Sequence, residues 1–267
     1  MVDPKTPAGS ATGRLLLVPN TLDLGADQVP LTDVLPSGVI TAAARLSHWI
    51  VEDARSARAF LNRVNQIAPL AQPLQQTSIV ELPRPPKGAA RESASRAPAA
   101  PGRAWMDLLT PALAGHDQGL LSEAGLPAVA DPGSLVVAAA HELGVPVVAL
   151  SGPSSLTLAI AASGLNGQSF VFHGYLPPDT AARRARLREL DAASRKLHQT
   201  QVFIETPYRN QAMLDSAVEA LSPTTRLAVS CGLTLVEGWS ASRTVAEWRA
   251  HPLRMPDRVP AVFSLLA

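Results

Sequence analysis

Cysteine is almost absent from this sequence. The one residue, Cys231, excludes an intrachain disulfide and makes a reducing compartment the default. No stretch approaches the roughly 18 apolar residues of a membrane span, so no membrane association is expected. Residues 1–13 are polar and lack the apolar centre of a secretory signal. A cytoplasmic protein is the expectation. An excess of one charge is also lacking. Lys plus Arg is 23 and Asp plus Glu is 22, for a net charge of +1. That balance excludes a strong overall field for nucleic acid, while a local patch remains compatible with it. The basic residues are nearly all arginine, which suits bidentate anion contacts. The six histidines show no metal-ligand spacing, and His141-Glu142 is not followed by a second histidine at the zinc-protease position. No metal site and no internal repeat are expected.

The 267 residues are 46% apolar, enough for one large or two modest domains of ~100–200 residues each. Residues 1–12 read as a flexible tail. A short apolar run at 14–19 (RLLLVP) reads as a buried strand, and 49–52 (WIVE), 78–82 (SIVEL), 119–122 (GLLS) and 145–150 (VPVVAL) read as further strands. Further strands are expected at 170–174, 201–205, 226–230 and 261–266. Helical spacing marks 56–64, with Ala59, Phe60 and Val64 on one face, and 105–113. It also marks 134–143, with Leu135, Val136, Ala139 and Leu143 inward and Gly144 as a stop. Small residues at 154–163 form another helix. The long helix at 179–198 has Asp179 as N-cap and Leu187, Leu190 and Leu197 as its buried seam. Residues 83–103, rich in Pro, Ala, Ser and Arg, read as a mobile surface loop. Alternating strands and helices indicate an α/β fold with a parallel or mixed sheet covered on both faces. A break near 151–155 divides the chain into an N-terminal α/β domain, 13–150, and a C-terminal α/β domain, 151–267.

Four loops follow strands and consist of Gly, Pro, Ser and Asp: 19–25 (PNTLDLG), 122–133 (SEAGLPAVADPG), 151–155 (SGPSS) and 205–210 (ETPYRN). Ligands of open α/β sheets bind outside the carboxyl ends of strands, so these loops can converge on one. Gly125, Gly133 and Gly152 permit close backbone approach. Ser154 and Ser155 at a helix start suit a carboxylate. Any one of these loops taken alone is an ordinary turn; the four together point to a small-molecule site.

The segments LLLVP, VEDAR, LLSEAGLPAVADPG, GVPVVALSGPSS, FVFHGYLP, VFIETPYRN and SCGLT run in this order along nearly the whole chain. In this they resemble the tetrapyrrole methylase superfamily, and most closely its ribosomal RNA small subunit methyltransferase I branch, which methylates a cytidine ribose 2′-hydroxyl. The resemblance implies two α/β lobes with S-adenosylmethionine (SAM) in the cleft between them, a homodimer, and cofactor contacts at Leu22, Glu123, Ala124, Gly125, Val129, Ser154, Ser155, Glu205 and Leu233. A hydroxyl acceptor gains from a base in hydrogen-bond reach. The acidic candidates are Glu205, Glu52 and Asp53, with Arg55 or Arg209 positioning a phosphate or carboxylate. For Glu52, Asp53 and Arg55 a structural ion-pair and capping cluster is the alternative. The sequence departs from the branch at residues 20–24, at 83–103, where the branch carries a His- and Asn-containing acidic motif, and at 231–235. RNA is therefore one expected acceptor, and a tetrapyrrole or other small metabolite is another. A non-catalytic relative is the third reading. Arg183, Arg184, Arg186 and Arg188 on the long helix, with Arg91, Arg96 and Arg103, are either RNA phosphate contacts or solvated charge. Trp105, Trp239 and Trp248 are expected to pack rather than stack on bases, and Cys231 to end a buried strand.

Overall fold

A computed structural model describes residues 12–23, 29–83 and 102–267. The expected tail, apart from residue 12, and nearly all of the expected loop at 83–103 lie outside the described residues. The chain divides into two compact units, Met1–Pro153 and Ser154–Ala267.

The first unit carries β1 (Leu15–Leu17), α1 (Leu31–Val34), α2 (Ser37–Arg45), β2 (His48–Val51), α3 (Ala54–Ile67) and β3 (Ser78–Glu81). It continues with α4 (Arg103–Asp107), α5 (Thr110–Leu113), β4 (Gln118–Leu121), α6 (Ser134–Glu142) and β5 (Val147–Ala149). Its sheet has the order β3-β2-β4-β1-β5, with every pair parallel. Side chains alternate between the faces of a strand, and the alternation sorts the apolar residues into two cores. Leu16, Trp49, Val51 and Leu121 pack with α2 and α3 through Val39, Ile40, Phe60 and Leu61. Leu15, Ile50 and Leu120 face the other way, onto Leu109, Ala112, Val136, Ala139 and Ala140. The inner strands β2, β4 and β1 are buried on both faces, which explains their unbroken apolar runs, while the edge strands β3 and β5 are half-exposed or exposed.

The second unit holds α7 (Ser155–Ser163), β6 (Phe170–Tyr175), α8 (Thr180–Leu197), β7 (Thr200–Glu205), α9 (Asn210–Ala220), β8 (Arg226–Cys231), β9 (Trp239–Thr244), α10 (Val245–Ala250) and β10 (Ala261–Leu266). Its sheet is mixed, in the order β6-β7-β10-β8-β9. β6 pairs parallel with β7, β10 runs antiparallel to β7 and β8, and β9 runs antiparallel to β8. Phe203, Phe263 and Leu265 join Leu187 and Leu190 of α8, Met213 of α9 and Trp248 of α10 in the main core. Val202 and Val262 pack on Ala159 and Ile160 of α7. The α/β class expected from the sequence is the class observed.

Several local expectations are corrected. Residues 105–113 form not one helix but two, α4 and α5, with Pro111 in the first turn of the second. The buried face of α3 is Ala57, Phe60, Leu61 and Val64, with Ala59 only half-buried. On α6 the buried residues are Val136, Ala139 and Ala140, while Leu135 and Leu143 are half-buried. Leu197 is 57% exposed, because the last turn of α8 runs past the core that holds Leu187 and Leu190. Arg183 is buried rather than part of a solvated face. Its guanidinium donates to Ser216 Oγ (3.0 Å) and to the carbonyl of Pro178 (2.9 Å). Asp179 caps α8 as expected, its carboxylate accepting from the amide of Ala182. Cys231 is buried, and burial pushes its thiol up to about 11, which makes it a packing residue rather than a nucleophile. Among the described residues, no helix is long and apolar enough to cross a membrane.

Gly119 of β4 has no room for a side chain: a Cβ there would lie 2.6 Å from the Trp49 ring and 3.0 Å from Leu46 Cδ1. Gly119→Ala is expected to destabilise the chain by about 1–3 kcal/mol through overpacking. Urea denaturation followed by circular dichroism measures it, and an unchanged midpoint would mean the strand yields without cost.

Candidate functional site

All strands of the first sheet point the same way, so the segments leaving β1, β2, β4 and β5 emerge at one edge. After β1 the chain runs through Val18 and Pro19 to Asn20, which is buried and forms an isolated antiparallel bridge with Gly125 of the segment after β4. The amide of Asn20 donates to the carbonyl of Gly125 (2.9 Å), and the Gly125 amide to the carbonyl of Thr21 (3.3 Å). The Asn20 side-chain amide donates to the carbonyls of Ser122 (3.1 Å) and Glu123 (3.0 Å), and its Oδ1 accepts from the Thr21 amide (2.9 Å). One side chain thus ties two loops together and leaves neither of its ends unsatisfied. The network continues inward. Thr21 Oγ1 donates to Asp23 Oδ1 (2.5 Å), and Arg63 of α3 donates to Asp23 Oδ2 (3.1 Å) and to the carbonyl of Val29 (2.6 Å). Asp23 and Arg63 are both buried, and the pair is hydrogen-bonded at both ends, as a buried pair must be.

Close backbone approach accompanies this lock. Gly125 has φ +70°, a conformation that favours glycine. A Cβ there would sit 3.2 Å from Leu22 Cδ2 and 3.4 Å from the carbonyl oxygen of Pro153. A Cβ on Gly152 would meet Pro19 at 2.3 Å, so the segment after β5 presses onto the one after β1. Farther along the β4 segment, Ala128 (φ 67°) and Ala130 (φ 65°) take left-handed conformations that cost non-glycine residues energy. They flank Val129, which is 45% exposed. Asp131 holds this strained turn, its Oδ1 accepting from the amides of Ala128 (3.0 Å) and Gly133 (2.7 Å).

The same edge is acidic. Glu52 follows β2, and its Oε2 accepts from the amide of Glu123 (3.2 Å). Burial raises the Glu52 carboxyl above the ordinary range. The charges of Asp131 and Asp53 add to that, while the Glu123 amide opposes it. Glu123 is likewise raised, by burial and then by Glu52 and Asp53, and Asp131 is raised by burial against three backbone amides. Asp53 instead caps α3, accepting from the amide of Ser56 (2.7 Å). That outcome realises the capping alternative for Asp53. Arg55 is exposed.

In the second unit, Glu205 ends β7 and is buried. Its Oε1 accepts from the Thr206 amide (2.7 Å), Thr206 Oγ1 (3.1 Å) and Arg209 Nε (3.1 Å) and Nη2 (2.6 Å). Its Oε2 is buried without a hydrogen-bond partner among the described residues. Ser154 is the N-cap residue of α7 but makes no side-chain cap bond, and Ser155 is the first residue of that helix. Leu233 follows β8, half-buried against the small core beside α7. Of the residues singled out in the sequence, Leu22, Glu52, Asp53, Glu123, Ala124, Gly125 and Val129 thus gather at the carboxyl edge of the first sheet. Ser154, Ser155, Glu205 and Leu233 belong to the second unit. Asn20, Arg63 and Asp131 were not singled out. Asn20 and Asp131 lie within the marked loops 19–25 and 122–133, whereas Arg63, on α3, carries no sequence signal beyond a charge among apolar helix positions. No group of His, Cys, Asp or Glu among the described residues is arranged to hold a metal ion.

Comparison with known proteins identifies the frame. Over 117 residues the chain is 44% identical to the ribosomal RNA small subunit methyltransferase I of Mycobacterium tuberculosis (strain ATCC 25618 / H37Rv), covering 44% of this chain and 40% of that protein. Over 153 residues it is 35% identical to the protein of the same name from Mesorhizobium japonicum, covering 57% of this chain and 48% of the other. The match therefore spans less than half the length of these relatives. The native form of uroporphyrin III C-methyltransferase from Thermus thermophilus has a similar fold, with a TM-score of 0.52 at 17% identity over 95% of this chain and 97% of that one. The same enzyme complexed with S-adenyl homocysteine gives 0.51, again at 17% identity over 95% and 97%. Residues 50–237, from within β2 to the turn before β9, match the Tetrapyrrole (Corrin/Porphyrin) Methylases, and the chain belongs to that family.

Proposed function

We propose that this chain is a SAM-dependent methyltransferase acting on RNA, with a ribose 2′-hydroxyl of small-subunit ribosomal RNA as the acceptor. The observation that carries the reading is the hydrogen-bonded lock between the segments after β1 and β4, in a chain that belongs to a methylase family. Support for RNA comes from the curated relatives, whose name states it. The proposed cofactor contacts are Leu22, Glu123, Ala124, Gly125 and Val129 in the first unit and Ser154, Ser155, Glu205 and Leu233 in the second. The residues fit such a ligand. Gly125 admits no Cβ without strain, so only bare backbone is presented there. The unpartnered Oε2 of Glu205 is an acceptor for a ligand hydroxyl or amine. A bound SAM supplies a methyl group on a sulfonium, open to in-line displacement. What the protein adds is alignment, exclusion of water and a base.

The geometry ranks the acidic candidates. Asp53 is committed to its helix cap, and Glu205 Oε1 to Thr206 and Arg209. Glu52 accepts one amide hydrogen bond and sits half-buried beside Glu123, with its proton affinity raised. We assign it the role of general base, deprotonating the acceptor hydroxyl as the methyl is transferred. The proposal includes the division into domains at 13–150 and 151–267, a cytoplasmic setting and a homodimer.

Methyl incorporation from labelled SAM into isolated small ribosomal subunits is the direct test, with porphyrin precursors as the comparison. Label in the RNA is expected; label only in the porphyrin would move the acceptor to a tetrapyrrole, and no label in either would remove the enzymatic reading. A second outcome concerns Glu52→Gln. A carboxyl raised by folding favours the folded state at low pH and weakens it as pH rises through its folded pKa. The variant is therefore expected to melt higher than the parent at about pH 8, with the gain gone below the ordinary carboxylate value of 4.5. Its kcat should fall by roughly a hundredfold or more with SAM affinity retained. An unchanged kcat would take the base away from Glu52.

A further inference from the structure

In a chain of net charge +1, contacts to phosphate need a local excess of positive charge. The segment that follows Asp53 supplies one. From residue 54 to residue 80 the sequence holds three arginines and no lysine, aspartate or glutamate. Of the three, Arg63 is buried and bonded to Asp23. Arg55 and Arg58 are exposed on α3, and neither makes an ion pair with any described residue. Arg58 donates only to the carbonyl of Ala54, one turn back (3.3 Å). Asn62 is exposed as well. Separated by three and then four residues, these side chains share one face of the helix and cover about 10 Å of it. The arginines of α8 are placed differently. Arg184 is paired with Glu219, Arg186 with Glu189 (2.8 Å) and Arg195 with Asp191 (3.4 Å).

The stripe on α3 begins at the candidate site and within the same unit. Asp53 is the N-cap of α3 and directly follows Glu52, which accepts from the amide of Glu123. Amides at the start of the helix are already engaged. That of Ala54 donates to Glu81 (2.9 Å) and that of Ser56 to Asp53 (2.7 Å). The carboxylates of Glu52, Glu123 and Asp131 repel an anion from the sheet edge itself. A phosphate is therefore favoured along the outer face of α3, on the guanidinium groups, and not over the helix start.

We infer that Arg55, Arg58 and Asn62 form a track for the sugar–phosphate backbone of the substrate RNA beside the acceptor nucleotide. The two guanidinium groups take phosphate oxygens, and the Asn62 amide takes a phosphate or ribose oxygen. The inference rests on the RNA reading given above and names the residues that hold the strand. Guanidinium groups bind phosphate through paired hydrogen bonds, and such contacts position a strand without reading its sequence.

The test uses the full chain and fluorescence anisotropy with two fluorescein-labelled single-stranded RNAs, one of small-subunit sequence and one scrambled, between about 50 and 200 mM salt. Methyl incorporation into isolated small subunits is measured in parallel. Arg55→Gln and Arg58→Gln are each expected to weaken both RNAs by about three- to tenfold. Each should also make the fall of log affinity with log salt shallower by about 0.7, the share of one phosphate on a single strand. The double variant should lose about 1.4 in slope and raise KM for small subunits by roughly tenfold or more, with SAM affinity unchanged. Arg55→Lys and Arg58→Lys keep the charge and should keep the slope. Asn62→Ala should weaken binding by about two- to threefold with the slope unchanged. Arg186→Gln removes a cation already neutralised by Glu189 and should stay within about twofold of the parent. Glutamine is a good helix former, so the exposed variants are expected to fold. Glutamine variants of α3 with the slope and KM of the parent, or an equal loss in Arg186→Gln, would overturn the inference. A parent that transfers no methyl to RNA would remove the RNA reading and this track with it. A parent that methylates RNA, with α3 variants that do so equally well, would remove the track alone.

Discussion

The hydrogen bonds between Asn20 and the turn that follows β4 fix the carboxyl edge of the first sheet. Everything proposed for that edge depends on them. Two loops separated by about a hundred residues of sequence are held together by one buried side chain that uses both its amide hydrogens and its oxygen. A half-satisfied network there would cost more than an apolar contact, since unpaired polar groups are penalised most where water is excluded. The bonding does not stop at Asn20. It passes through Thr21 and Asp23 to Arg63, so a helix on one face of the sheet is coupled to the loops at its edge. The close fit at Gly125 and Gly152 is the geometric result: Gly152 is pressed against the Pro19 ring with no space for a Cβ, and Gly125 lies close to Leu22 in a left-handed conformation.

The second unit reaches similar local order by another route. Its β7 segment is stiffened by the Glu205–Arg209 ion pair, four residues apart and nearly sheltered from water. A pair of this kind is costly to break, because removing one partner strands a buried charge. Here the pair also leaves one carboxylate oxygen unspent and sets Tyr208 against a guanidinium. The left-handed alanines on either side of Val129 in the first unit store backbone strain of the kind that collects at functional sites.

How much of this was legible depended on whether the signal was local. The central strands were, because burial on both faces writes them as apolar runs: LLL at β1 and AVFSLL at β10 are visible without any structure. The edge strand β9 (WSASRT) was not, since it is half-exposed and mostly polar. Helix α8 was legible in extent but not in its seam. Leu197 has the right spacing yet runs past the core, and Arg183 takes a buried place because Ser216 and the Pro178 carbonyl solvate its charge. The loops of the candidate site were marked by their glycines and prolines. The bridge from Asn20 to Gly125 could not be read, because no spacing rule links residues so far apart. The division of labour among Glu52, Asp53 and Glu205 was equally hidden, being a matter of which carboxylate oxygens already have partners.

The central claim is that the locked segments after β1 and β4 hold a methyl donor. Titration calorimetry of the full chain with SAM tests it most directly, alongside Gly125→Val, which places a β-branched side chain where φ is +70°. The account predicts a saturable one-to-one heat with micromolar or tighter affinity in the parent, and marked weakening in the variant. No heat in a folded parent, or equal affinity in the variant, would contradict it.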